Sequence, residues 1–223
     1  EMSSTISNEN GPSLTKKTSN TYNNDVNQWL IGQLIETSVE HEQSGIACKI
    51  KRQINFEYDA QTGSLVKQIK EPLSDLLLET KFLYDPHGNV ISKMEKSSSQ
   101  IRTVNTTYDN FGIHPISTSN GLGHKESYAY NIYDNVEILT GANDIQTKWD
   151  YDSLGNKLQE IKPDGTKIKW TYSFDETYKA KYKIMMEDDG GANETRFYDS
   201  LDRLVKIQTV GFNKSLITED IEY

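Results

Sequence analysis

Apolar and polar residues alternate along most of this chain. In KIKWTYSF, residues 167–174, Ile168, Trp170, Tyr172 and Phe174 fall on one side, while Lys169, Thr171 and Ser173 fall on the other. INFEYD places Ile54, Phe56 and Tyr58 on one face, and LLLETKFLYD does the same with Leu78, Phe82 and Tyr84. Period two over runs this short predicts half-buried β-strands. One segment competes. DVNQWLIGQLIETSVE has Leu30/Leu34 and Ile31/Ile35 at helical spacing with Asp25 as a cap, but Gly32 and the β-branched tail weaken a helix. The expectation there is a short helical turn around Asn24–Trp29 and a strand from about Gln33.

Turn signals separate the runs, and they recur. Tyr-Asp occurs at Tyr58-Asp59, Tyr84-Asp85, Tyr108-Asp109, Tyr133-Asp134, Tyr151-Asp152 and Tyr198-Asp199, with Phe174-Asp175 as a variant; the steps are 26, 24, 25, 18, 23 and 24 residues. Such a period marks an internal repeat. Three of the pairs open the stretches DPHG, DNFG and DSLG, which end on Gly88, Gly112 and Gly155, and DAQTG is one residue longer. Asp first and Gly fourth is the signature of a type I turn, with the carboxylate accepting backbone N–H groups ahead of it. A second signal, KPDGT with Asp164 and Gly165, reads as a hairpin loop, and SNGLGHK and TGANDIQ hold the equivalent place. Each repeat is therefore two strands and two turns. A lone hairpin cannot cover its apolar face, so the units are expected side by side in one sheet.

Composition narrows what such a sheet does. The 223 residues carry a formal net charge of -9 and a pI near 5.0, which argues against a nucleic-acid partner and against docking on an anionic membrane. Thirteen Tyr against six Phe suit sheets with a wet face. The one cysteine, Cys48, permits no internal disulfide or thiolate cage and reads as a small core or strand residue. No apolar run reaches the ~20 residues of a membrane span. Residues 1–21 are Ser/Thr/Asn-rich, carry no signal-peptide pattern, and read as a polar lead-in or linker before a hairpin array over 22–223.

Candidate chemistry is sparse. His41, His87, His114 and His124 fall in different repeats without ligand spacing. EDDGGANETRFYD lacks the alternating carboxylates of a calcium loop and reads as a solvated acidic loop. The repeated Asp residues are explained by turns, so an acid pair would come from Glu36, Glu57 or Glu160. Sequons at Asn105, Asn193 and Asn213 indicate accessible loops. No cofactor, metal or catalytic residue is assigned.

The stretch from Thr107 to Tyr172, TYDNFGIHP through KIKWTY, closely resembles the Rhs/YD-repeat family of large bacterial proteins, and NNDVNQWLIGQLIETSVEH is similar to the segment that precedes such repeats in toxin-complex B/C components and SpvB-domain Rhs toxins. The resemblance runs from about Tyr22 to Tyr223. It implies an all-β array of antiparallel hairpins forming one curved, coiling sheet, part of a hollow shell enclosing a toxic C-terminal payload of a secreted protein. Its partners would be the rest of the parent chain, the payload and other toxin-complex subunits. There are departures: Asp202 replaces the turn glycine, Phe174 replaces tyrosine, and no early Gly follows Tyr133-Asp134. The family's Asp-Pro-x-Gly-Leu plug motif has no counterpart, since DPHGN at Asp85 is a repeat turn. The chain ends where the pattern expects another Asp, so it reads as a fragment cut in mid-repeat. The alternative is a carbohydrate- or receptor-binding module using exposed rings. A packed ladder of Tyr84, Tyr108, Tyr151 and Trp170 would favour the structural role. An open groove lined by Trp149, Trp170 and nearby Tyr would favour binding.

Overall fold

The computed structural model describes residues 2–6, 13–45, 49–211 and 213–223; Cys48 lies outside them. The chain divides into two compact units, residues 1–124 and 125–223. The first holds β1 (Met2–Ile6), β2 (Leu14–Asp25), β3 (Leu30–Gln43), β4 (Lys49–Tyr58), β5 (Leu65–Lys70), β6 (Leu78–Tyr84), β7 (Val90–Lys96), β8 (Ile101–Tyr108) and β9 (Pro115–Asn120). The second holds β10 (Lys125–Tyr130), β11 (Val136–Thr140), β12 (Gln146–Tyr151), β13 (Lys157–Ile161), β14 (Lys167–Phe174), a 3₁₀ turn (Thr177–Lys179), β15 (Tyr182–Asp188), β16 (Glu194–Tyr198), β17 (Leu204–Val210) and β18 (Leu216–Asp220). Within each unit every strand pairs antiparallel with its neighbour in sequence. Each is an open all-β meander, as the alternation and turns require.

Among the described residues, neither unit contains a second layer to cover its own sheet. The accessible surface is 15733 Å², whereas two compact globules of half the mass each would expose about 12,500 Å² together. Among the described residues the buried apolar side chains are Ala180 and Phe197, joined by the polar Ser38, Thr80 and Lys206. Cohesion must therefore come from contacts between adjacent strands and hairpins.

The hairpins that carry the Tyr-Asp pair share one construction. In the β12–β13 turn, Asp152 N–H donates to Asn156 C=O at 2.9 Å and Gly155 N–H donates to Asp152 C=O at 3.1 Å. Gly155 has φ +83, the left-handed region that a glycine occupies without strain. The return strand then carries a bulge: Tyr151 faces Lys157 while Asp150 faces Gln159, so Leu158 is the extra residue. The same shift falls at Tyr58, Tyr84, Tyr108 and Tyr198, making Val66, Ile91, Ile116 and Val205 the extra residues. Turns without the pair, such as Gly141–Ile145 and Lys162–Thr166, close without a shift.

Three sequence expectations are corrected. Tyr133-Asp134 does not end a strand. The turn is closed by Asn131, whose N–H donates to Asn135 C=O, and Asp134 takes the left-handed position at φ +64. The bulge falls at Tyr130, so Tyr130-Asn131 is the repeat pair and the neighbouring steps become 22 and 21 residues. No helical turn forms before Trp29. Asp25 caps a tight turn by accepting from Asn27 and Gln28 N–H at 2.9 and 3.1 Å, and β3 starts at Leu30, with a bulge at Tyr22. Residues 14–21, read as lead-in, belong to β2, where Thr18 faces Val39 and Thr21 faces Glu36. β-branched threonine pairs well on a half-wet strand, which a compositional reading of Ser/Thr/Asn overlooks. No helix among the described residues is long and apolar enough to cross a membrane.

Candidate functional site

Register divides each sheet into two unlike faces. In the second unit Trp149 faces Glu160, which faces Ile168, so Trp149, Tyr151, Trp170, Tyr172 and Phe174 lie on one side. Phe174 faces Tyr182 and Tyr182 faces Tyr198, extending the aromatic side. In the first unit Phe56, Tyr58, Phe82, Tyr84 and Tyr108 share a face by the same reasoning. The opposite faces carry ion pairs alongside apolar residues such as Ile69, Leu83 and Phe197. There Lys67 bridges Glu57 at 3.0 Å and Glu79 at 3.6 Å, and Lys81 reaches Glu79 at 3.2 Å. Glu57 raises the Lys67 pKa and Lys81 lowers that of Glu79, so Lys67 and Glu79 stay charged at neutral pH. Ser92–Asn105 and Gln159–Asp150 continue the pattern as side-chain hydrogen bonds.

The tyrosines are tied by their hydroxyls. Tyr84 Oη–H donates to Leu65 C=O at 2.7 Å, Tyr151 to Val136 C=O at 3.0 Å, and Tyr58 to Leu34 C=O at 3.0 Å. Each acceptor is the residue that faces the tyrosine of the preceding hairpin, next to its bulge. A bulge interrupts the ladder and leaves a backbone group to be satisfied, and the next tyrosine does so. Phenylalanine could not, which accounts for tyrosine at these three positions. Burial pushes the phenols of Tyr151 and Tyr172 above their usual value, which keeps Tyr151 a protonated donor.

The aspartates act within their turns. Asp85, Asp109, Asp152 and Asp199 each accept the N–H groups two and four residues on. The longer Asp59 turn uses Gln61 and Thr62. These bonds hold the carboxyls below the ordinary range, through Asn156 and its backbone at Asp152 and through Ile113 N–H at Asp109. Turns also touch their neighbours: Asn89 Nδ2–H donates to Gly112 C=O at 2.7 Å. Asp164 differs, sitting third in its turn and accepting from Thr166 at 2.9 Å, with Gly165 at φ +85. At Phe174-Asp175 the loop is longer. Asp175 accepts from Thr177 N–H and pairs with Lys183 at 2.7 Å, and Tyr178 folds edge-on against buried Phe197, centroids 5.1 Å apart. Lys206 Nζ lies 3.9 Å from the Tyr178 ring centroid and 2.8 Å from Asp220.

Two of the three glutamates considered for an acid pair are engaged structurally. Glu57 pairs with Lys67, and Glu160 accepts Trp149 Nε1–H at 2.8 Å. Asp188 in the acidic loop accepts from Gly190 N–H and Lys162, and no metal-holding group of His, Cys, Asp or Glu occurs among the described residues. Trp149 and Trp170 flank the Lys157 ammonium, at 5.3 and 5.9 Å from their centroids. One groove of about 380 Å³ does open on the aromatic face, lined by Tyr172, Phe174, Tyr182, Ile184, Ser173 and Asn156.

No protein-family model matches the chain, and no curated protein matches it. Solved structures do. TcdB2–TccC3 with Cdc42 matches 94% of this chain and 11% of its own at a TM-score of 0.60 and 14% identity. TcdB2–TccC3 alone matches 93% and 12%, at 0.60 and 13%. The Tc holotoxin pore of Photorhabdus luminescens matches 93% and 11%, at 0.58 and 14%. These neighbours are Tc-toxin proteins, and the likeness at this identity is one of fold. The chain spans about a tenth of their length.

Proposed function

We propose that this chain is a stretch of the wall of an Rhs-type shell that encloses the toxic payload of a secreted bacterial toxin. The observation that carries this reading is the open sheet of each unit, with most of its aromatic residues gathered on one face. A wall needs two faces and no core of its own. Its role is structural: the tyrosines and aspartates named above hold hairpin to hairpin, and its partners are the remainder of a longer polypeptide, the payload and other toxin-complex subunits. The test is cryo-electron microscopy of the native polypeptide with its intact mass. A closed hollow particle, many times heavier than 25.4 kDa and with density inside, is expected. A native protein of this length that forms no enclosure would sink the proposal.

The groove beside exposed Phe174 favours a second reading, a carbohydrate- or receptor-binding module. Titration of oligosaccharides against intrinsic Trp fluorescence tests it. Saturable binding lost in Phe174→Ser supports it, and no response at millimolar sugar removes it.

A further inference from the structure

The groove beside Phe174 is edged by negative charge. Tyr172 and Phe174 on β14 face Ile184 and Tyr182 on β15 across it. Tyr182 stacks on Tyr198, with ring centroids 5.0 Å apart and planes 8° from parallel. Two carboxylates bond to this lining. Asp152 accepts Asn156 Nδ2–H at 2.8 Å, and burial, then the Asp152 charge, raise the Tyr172 phenol pKa. Asp202 accepts the Tyr182 Oη–H. Among the described residues neither carboxylate is paired with a cation. The neighbouring cations are engaged elsewhere: Lys157 between the Trp149 and Trp170 rings, Arg196 with Glu194, Lys183 with Asp175 and Arg203 with Asp199. Lys179 lines a separate cavity beside Arg203 and Tyr223.

Aromatic walls with carboxylates at their edge suit a cation. Ring faces attract it, and the carboxylates add charge-assisted hydrogen bonds. The same face shows this one hairpin away, where the Lys157 ammonium stands 5.3 and 5.9 Å from two Trp centroids. There the chain supplies its own cation; in the groove no lysine or arginine lines the wall. A planar guanidinium can lie flat on a ring while its fork of N–H groups reaches carboxylates on two different turns, which a compact ammonium does less well. The space of about 380 Å³ lies within the range of ligand pockets, and Phe174, 96% exposed, leaves its mouth open to a peptide backbone. A net charge of -9 draws basic segments toward the chain.

We infer that this groove receives an arginine side chain presented by a basic peptide segment of a partner protein. The inference rests on the second reading above, that the groove is a binding site, and names its ligand. Equilibrium dialysis of the 223-residue chain against acetyl-Gly-Arg-Gly-amide at about 0.15 M salt tests it. Saturable binding with a Kd of about 0.1–1 mM is expected, the scale of one cation on aromatic rings with two charge-assisted hydrogen bonds. The lysine counterpart should bind at least about fivefold more weakly. The arginine peptide should lose at least about fivefold in Asp152→Asn/Asp202→Asn and in Phe174→Ser, each with an unchanged far-UV spectrum. Asparagine keeps both turns, since Asn131 accepts from Asn135 N–H in the equivalent place and asparagine tolerates positive φ. Asp109→Asn, in the first unit, should bind as the parent does. No binding at about 5 mM peptide overturns the inference, as does equal binding of the lysine peptide, or binding that survives Asp152→Asn/Asp202→Asn or falls equally in Asp109→Asn. Maltotetraose separates the two ways of failing. If it binds where the arginine peptide does not, the groove is a site for a neutral ligand and the cation is wrong; if neither binds, the second reading falls with the inference.

Discussion

Gly88 and Gly112 occupy the same position in successive turns, at φ +89 and +69, and yet should respond differently to alanine. A Cβ on Gly88 would meet nothing within 4 Å, whereas on Gly112 it would lie 2.6 Å from Cγ and Nδ1 of the His87 ring. Alanine in the left-handed region costs about 1–2 kcal/mol, and about 0.5–1 kcal/mol returns because the unfolded chain loses freedom. Gly88→Ala should therefore cost about 0.5–1 kcal/mol. Gly112→Ala carries the same backbone cost and must also displace the imidazole, which adds about 1–2 kcal/mol, in the range of overpacking. Removing the ring should relieve only the second part, so His87→Ala/Gly112→Ala should be more stable than the sum of its singles by about that amount. Urea unfolding followed by Trp fluorescence and far-UV circular dichroism gives the midpoints. Gly88→Asn should cost less than Gly88→Ala, since Asp134, Asp144 and Asp202 hold this turn position at φ +64, +58 and +57. Equal costs at Gly88 and Gly112, or strict additivity with His87→Ala, would refute the idea that neighbouring turns are packed against each other.

Three further outcomes are expected. Tyr151→Phe should cost about 1–1.5 kcal/mol by leaving Val136 C=O without its donor. Tyr172→Phe, whose hydroxyl bonds no described residue, should change the urea midpoint little. Asp175 is held from its ordinary 3.8 down to about 2, first by Lys183 and then by Thr177. A depressed folded pKa contributes stability above pH 3.8 that disappears as pH falls toward 2. Melting temperature across pH 5 to 2 should thus fall less steeply in Asp175→Asn than in the parent, and equal slopes would count against the pairing. Lys214, at φ +61 where other turns have glycine, should gain about 0.5 kcal/mol as Lys214→Gly, read as a higher melting temperature.

Strand alternation and turn chemistry were legible because both are local. KIKWTYSF reads as β14, and the first-position Asp with fourth-position Gly reads as the turn that forms. What stayed hidden depends on pairing. Tyr133-Asp134 looks like the repeat dipeptide, but identity at two positions weighs less than the spacing of the turn. Asn131 can cap as Asp does, and Asp134 tolerates positive φ, so the turn slides three residues upstream. A signal for the bulge was present: Leu65-Val66, Val90-Ile91 and Leu204-Val205 are consecutive apolar pairs just after a turn, where alternation breaks. The destination of the tyrosine hydroxyls could not be read at all, because each acceptor lies in the preceding hairpin and is exposed only by a bulge there.

Those ties bear on why such a sheet suits a wall. A sheet without a second layer gains little from a core, so its stability is a sum of nearest-neighbour terms. Here they are the hydroxyl-to-bulge bonds, the Asn89–Gly112 contact between turns, and the Glu57–Lys67–Glu79–Lys81 chain across strands. None of them requires a sheet of particular length, so hairpins can be added without redesigning those already present. Damage should likewise stay local: removing one tyrosine hydroxyl unties one hairpin from its predecessor and leaves more distant pairs unchanged. Hydrogen exchange on Tyr84→Phe would read this directly. Faster exchange confined to the β4–β5 and β6–β7 hairpins fits a chain of neighbour contacts, while uniform loss of protection through the first unit would require a shared core that its surface does not contain.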